Sequence, residues 1–208
     1  MSAVAIFLDE SAAWLATDGV TYQYGAGQVD TIQQKAFPLI HLGCVVSVRG
    51  PQAYAHKLMP VLNSRFASFE DLVEGMHLAA WVVHEEIKAE LAERYGNPEV
   101  EVYVVGWSHD RGRAEGHAIA SHALWGEPWR RLEVDRFACA PAVEMSAETD
   151  IPAAAMDVIQ RQRAERDEHG HCCVGGFVQL TKVTPDAIHG AIIHRWPDQI
   201  GEPLGEAA

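Results

Sequence analysis

The chain begins with the pattern that most restricts its fold. Ala3 to Leu8 is apolar at every position, Asp9-Glu10-Ser11 interrupts, Ala12 to Thr17 forms a second apolar run, and Asp18-Gly19 closes it. A short, unbroken apolar run predicts a central strand covered on both faces rather than one. Two such runs separated by three polar residues predict a hairpin, and Asp18-Gly19 predicts a turn. Ser2 sits directly ahead of the first strand. A small second residue favours removal of Met1, which would leave Ser2 with a free α-amine of reference pKa near 8. Hydroxyl and amine would then offer a nucleophile and a base within one residue. Met-Ser is also a common way for a chain to begin, so the pair alone decides nothing.

The rest of the chain alternates strand and helix signals. Tyr22 to Gly27 reads as an exposed excursion, and Lys35 to Leu39 returns to the core. Leu42 to Val48 predicts a buried strand that stops at Arg49-Gly50-Pro51. Pro51 suits a helix start, and Tyr54, Leu58, Val61 and Leu62 recur at helical spacing up to Phe66. Ser68 predicts an N-cap with Glu70 and Asp71 in the first turn. Leu72, Met76, Ala79, Ala80, Val83, Ile87 and Leu91 form one stripe, which Tyr95-Gly96-Asn97-Pro98 ends. Val100 to Val105 and Arg113 to Ser121 predict strands, and Leu132 to Phe137 a weaker one. Asp150-Ile151-Pro152 opens a helix reaching about Glu168. Gly175-Gly176 precedes a strand from Phe177, and Asp186 to Arg195 completes a final hairpin. Residues 1–196 are expected to form a single domain, and 197–208 a frayed tail. Helices grouped between strand pairs predict helices layered on antiparallel sheets, an α+β class.

Composition narrows the function classes. The 208 residues carry a net charge of −13 with no Lys/Arg run, which argues against nucleic acid or an anionic membrane as partner. No apolar run approaches the ~20 residues of a membrane span. Val4 to Leu8 is too short for a signal peptide and lacks a basic start, so a cytoplasmic location is expected. Cys44, Cys139, Cys172 and Cys173 form no disulfide framework and are expected as reduced core thiols.

Four features together resemble the N-terminal-nucleophile hydrolases of the proteasome β-subunit type, nearest to the simpler bacterial forms. They are Ser2 ahead of an apolar strand, Ala16-Thr17-Asp18-Gly19 closing the second strand, Lys35 opening the third, and Val48-Arg49-Gly50 before the first helix. Val104-Val105-Gly106 and Gly175-Gly176 extend the likeness, which is good over about residues 2–108 and looser beyond. Asp18 stands sixteen residues after Ser2, the offset of the family's acid. The resemblance implies a four-layer αββα sandwich, two antiparallel sheets between helix layers. It implies that Ser2 Oγ attacks an amide carbonyl and that its α-amine moves the proton. Lys35 then lowers the effective pKa of Ser2, Asp18 orients Lys35, and the Gly50 N–H stabilises the oxyanion. No cofactor is implied. Assembly into a ring or stacked homo-oligomer is implied, with a peptide or small amide as substrate and an unfoldase as a possible partner.

Several positions depart from the family pattern. Phe137-Ala138-Cys139-Ala140-Pro141 lacks the family's Ser-Gly turn, and His171 and Val174 stand where Asp-x-x-Ser is usual. A proteasome-fold protein without catalysis, acting in structure or assembly, is therefore the second expectation. His169-Gly170-His171-Cys172-Cys173 looks like a soft-metal cluster, but no second ligand pair accompanies it. His77 and His84, with His56, are candidates for a helix interface. Trp107, Trp125, Trp129 and Trp196 are either interface anchors or caps on the ends of the core.

Overall fold

In a computed structural model of the chain, residues 2–23 and 25–205 are described; Met1, Tyr24 and 206–208 lie outside them. The described residues form a mixed α+β structure with three helices and antiparallel sheets. The chain runs through β1 (Val4–Leu8), β2 (Ala13–Asp18), β3 (Val20–Tyr22), β4 (Val29–Ile32), β5 (Ala36–Leu39) and β6 (Cys44–Arg49). Helices α1 (Gln52–Arg65) and α2 (Phe69–Tyr95) follow. Then come β7 (Glu101–Ser108), β8 (Arg113–Ala120), β9 (Leu132–Val134), β10 (Phe137–Ala140), α3 (Ile151–Ala164), β11 (Phe177–Val183) and β12 (Ile188–Arg195). One five-stranded sheet has the order β10-β1-β2-β11-β12, a second β5-β6-β7-β8-β9, and β3-β4 pair separately.

The continuous apolar character of β1 follows from what lies on each side of it. Val4 and Ile6 meet Leu15, Val45, Tyr103 and Val105 between the two five-stranded sheets. Ala3, Ala5 and Phe7 point the other way, onto Ala154, Ala155 and Val158 of α3. The far face of the second sheet, with Val46, Val102 and Val104, is covered by Leu58 and Leu62 of α1 and by Leu72 and Met76 of α2. Burial of each large side chain contributes roughly 1.5–3 kcal/mol. The α2 stripe expected from the sequence is the buried one. Ser68 caps the helix, its Oγ accepting the Asp71 N–H at 3.1 Å, and Gly96 ends it in the left-handed region.

Four expectations need correction. Leu132 to Phe137 is not one strand: β9 pairs with β8, whereas β10 pairs with β1, so the chain changes sheets at the exposed Asp135-Arg136. Helix α3 stops at Ala164, where the charged residues after it have no apolar face to bury. His77 and His84 do not line one interface together, since His77 is exposed and His84 is not. His84 is buried against Trp129, and a ring nitrogen hydrogen-bonds the Pro98 carbonyl at 2.9 Å. The segment after Trp196 is not frayed as far as Gly205. Asp198 pairs with Arg163, Gly201 and Glu202 bond to Val29, and Leu204 is buried with Val20, Val29 and Cys172.

Candidate active site

The β1–β2 hairpin brings Ser2 and Asp18 side by side, because its register pairs Val4 with Thr17. The Asp18 carboxylate is fully buried and every oxygen has a partner. Oδ1 accepts the Ala3 N–H at 3.0 Å and the Lys35 ammonium at 2.8 Å. Oδ2 accepts the N–H groups of Val20 at 3.2 Å and Gly175 at 3.3 Å. Lys35 lies one residue before β5, which runs along the edge of the other sheet. Its Nζ reaches across to Asp18 and donates to Ser2 Oγ at 2.9 Å. Lys35 is 6% exposed and Ser2 is half-buried, so the contact is largely shielded from solvent.

Charge at Lys35 is set by opposing effects. Burial pushes its pKa below the ordinary 10.5, the Asp18 carboxylate pulls it back up, and the nearby Arg49 guanidinium adds to the lowering. The net direction is down. Lys35 therefore releases its proton more readily than a surface lysine.

Gly50 follows β6 with φ of +121°, a conformation suited to glycine, and a Cβ there would stand 2.6 Å from the Glu99 carbonyl oxygen. It is tied to the cluster through its neighbour: Arg49 Nε donates to the Ser2 carbonyl at 2.6 Å. Lys35 thus contacts both Ser2 and Asp18, and Gly50 is held one residue from a group that touches Ser2.

Sequence reasoning treated Arg49 only as the end of a strand. Its guanidinium is buried and paired with Glu101, which also accepts the Tyr103 hydroxyl. The readable signal was a charged residue directly after the strand run Val45-Val46-Ser47-Val48; its pairing opposite Glu101 came only from the structure. The departures are also placed. Cys139 closes a turn with Val143, Val174 is buried in the core under α3, and the His171 ring packs on Gly27. Cys173 is buried, which pushes its thiol pKa up to about 11. Among the described residues, no group of three or more His, Cys, Asp or Glu side chains is arranged to hold a metal ion. Surface depressions lined by Arg113, Glu115 and Glu133, or by Glu74, His77 and Trp129, share no residue with the Ser2 cluster.

The glycine pair has a clear structural reason. Gly175 carries the N–H that bonds Asp18, and a Cβ at Gly175 would collide with Arg163 Nη1 at 2.4 Å and Asp198 Oδ2 at 2.5 Å.

No protein-family model and no curated protein matches the sequence of this chain. Among solved structures, it is similar to Anbu (ancestral beta-subunit) from Yersinia bercovieri, with a TM-score of 0.58 and 14% identity. The match covers 93% of this chain and 87% of that one. At that identity the likeness shows the fold alone: the chain has a proteasome-like fold.

Proposed function

We propose that the protein is an N-terminal-nucleophile hydrolase that cleaves amide bonds, with peptides as the first substrate class and Ser2 as nucleophile. The observation that carries this reading is the Lys35 ammonium shared between Ser2 Oγ at 2.9 Å and Asp18 Oδ1 at 2.8 Å in a buried setting. In this reading the two five-stranded sheets and their helices make the four-layer αββα sandwich of proteasome subunits. Ser2 Oγ attacks the amide carbonyl carbon and its proton passes to the deprotonated form of Lys35 Nζ, which burial makes easier to reach than in a surface lysine. Asp18 orients that nitrogen. The Gly50 N–H donates to the oxygen that becomes negative. The tetrahedral intermediate collapses, the C–N bond breaks, and the leaving amine takes the proton. Water then hydrolyses the ester on Ser2. The α-amine of Ser2 relays protons once Met1 is removed; Met1 itself lies outside the described residues.

Intact mass of the purified protein is the first test, followed by a panel of peptidyl-amide reporters. Loss of one methionine, turnover by wild type and silence of Ser2→Ala are expected. Wild type with a verified Ser2 terminus and no turnover overturns the proposal.

A catalytically silent proteasome-fold protein with a structural or assembly role is the second reading. It is favoured by Val174, a buried aliphatic side chain where the resemblance calls for a serine. Both readings place the protein in a cytoplasmic ring or stacked homo-oligomer, with an unfoldase as a further partner for folded substrates. The outward face of α2 supports assembly, since Leu78, Trp81 and Val82 are all more than one-third exposed there.

A further inference from the structure

The peptide unit joining Ser2 to Ala3 is gripped at both ends by buried charged side chains. Its C=O accepts from Arg49 Nε at 2.6 Å and its N–H donates to Asp18 Oδ1 at 3.0 Å. A peptide unit is planar, so fixing both polar groups fixes its orientation and the position of the Ser2 Cα, from which the side chain reaches Lys35 at 2.9 Å. Arg49 is itself locked. Its Nη1 pairs with Glu101 Oε2, and the Tyr103 hydroxyl donates to that same oxygen. Arg49 and Glu101 face each other across β6 and β7, at the margin of the space between the two sheets.

We propose that Arg49 is a positioning residue for the Ser2 nucleophile, holding the Ser2 carbonyl against the pull of Asp18 and braced by Glu101 and Tyr103. The inference rests on the reading of Ser2 as the nucleophile. Stability alone is a poor reason for this arrangement, because a buried ion pair can often be replaced by neutral side chains with little loss. The shape of arginine matters. Its planar fork directs one nitrogen at Ser2 and another at Glu101, which a single ammonium cannot do with the same geometry. Arg49 has a second effect on the site, since its charge helps hold Lys35 below its ordinary pKa. The groups acting on Lys35 are Asp18 on β2, Arg49 on β6 and Cys173 ahead of β11, in addition to the Ser2 hydroxyl.

The test is steady-state hydrolysis of a peptidyl-amide reporter as a function of pH, on folded protein of verified Ser2 terminus. Arg49→Met leaves Glu101 buried without its partner and risks misfolding. The informative variant is therefore Arg49→Met with Glu101→Gln, which removes both charges and keeps an acceptor for Tyr103. It is expected to lower kcat about 100-fold with KM within about twofold, the effect of a misplaced reacting group. Its Lys35-governed limb should move to higher pH. Arg49→Lys should restore the position of that limb but not the full rate. Unchanged kcat in the folded double variant, or a change confined to KM, overturns the positioning role while leaving the hydrolase reading intact. A silent wild type overturns both.

Discussion

In the proposed mechanism the chemistry turns on Lys35, and the ionisation of that residue also bears on stability. Burial holds its pKa below 10.5 in the folded chain, against the upward pull of Asp18. Between the lowered value and 10.5, the unfolded chain keeps a proton that the folded chain has released. The contribution of this residue to stability therefore rises as pH increases through that window. Lys35→Met should remove this slope, and chemical denaturation of both proteins across the window reads it; parallel curves would show that Lys35 titrates as an ordinary lysine. Asp18→Asn leaves Lys35 Nζ without its carboxylate and weakens the hold on the Ala3, Val20 and Gly175 amides. A loss of roughly 3–5 kcal/mol is expected, as for other buried ion pairs broken on one side. An Asp18→Asn protein as stable as wild type would mean that the pair carries little. Gly50→Ala places a Cβ against the Glu99 carbonyl at positive φ, so it should lower stability by more than the roughly 1–2 kcal/mol of left-handed strain alone.

At the scale of elements, the parts governed by local rules were legible. The β1–β2 hairpin followed from two apolar runs around Asp9-Glu10-Ser11, and Asp9 Oδ1 indeed accepts the Ser11 and Ala12 amides. Helix α2 followed from its stripe and its cap. Ser68→Ala should cost about 1 kcal/mol, read as a lower thermal midpoint, because the Asp71 amide loses its acceptor. No change would mean that water replaces the hydroxyl fully. The β9–β10 segment was misread for a physical reason: a run from Leu132 to Phe137 has the composition of one strand, and only its partners divide it. Gly116 opposite Val134 and Phe7 opposite Phe137 belong to different sheets.

At the scale of the whole molecule, the last described residues bind the site together from outside. Asp198 accepts from Arg163 and from the Gly176 N–H at 2.7 Å, while the adjoining Gly175 N–H holds Asp18. The same strap covers the β3–β4 hairpin through Gly201, Glu202 and Leu204. Asp198→Ala should cost roughly 3 kcal/mol, since Arg163 keeps its charge in a mostly buried place. It should also weaken reporter turnover by loosening the Gly175 contact with Asp18. Equal denaturation curves would remove the strap from the account. Light scattering tests the proposed assembly at this scale: a mass several times the 22.8 kDa of one chain is expected, and a monomer at all concentrations overturns the ring.

The sequence by itself determined the hairpin that begins the fold and the spans of α1 and α2, and it offered Ser2, Asp18, Lys35 and Gly50 as candidates. The hairpin and the helices depend on hydrophobic period and capping chemistry, which are local, whereas the candidate residues came from the resemblance to the proteasome β-subunit type. Tertiary structure alone decided that Lys35 meets both Ser2 and Asp18, that Arg49 grips the Ser2 carbonyl, and that the C-terminal segment is a strap. Those contacts join residues far apart in sequence, 33 positions in the case of Ser2 and Lys35. Their existence depends on which sheet each strand enters, and no pattern within a single segment encodes that choice.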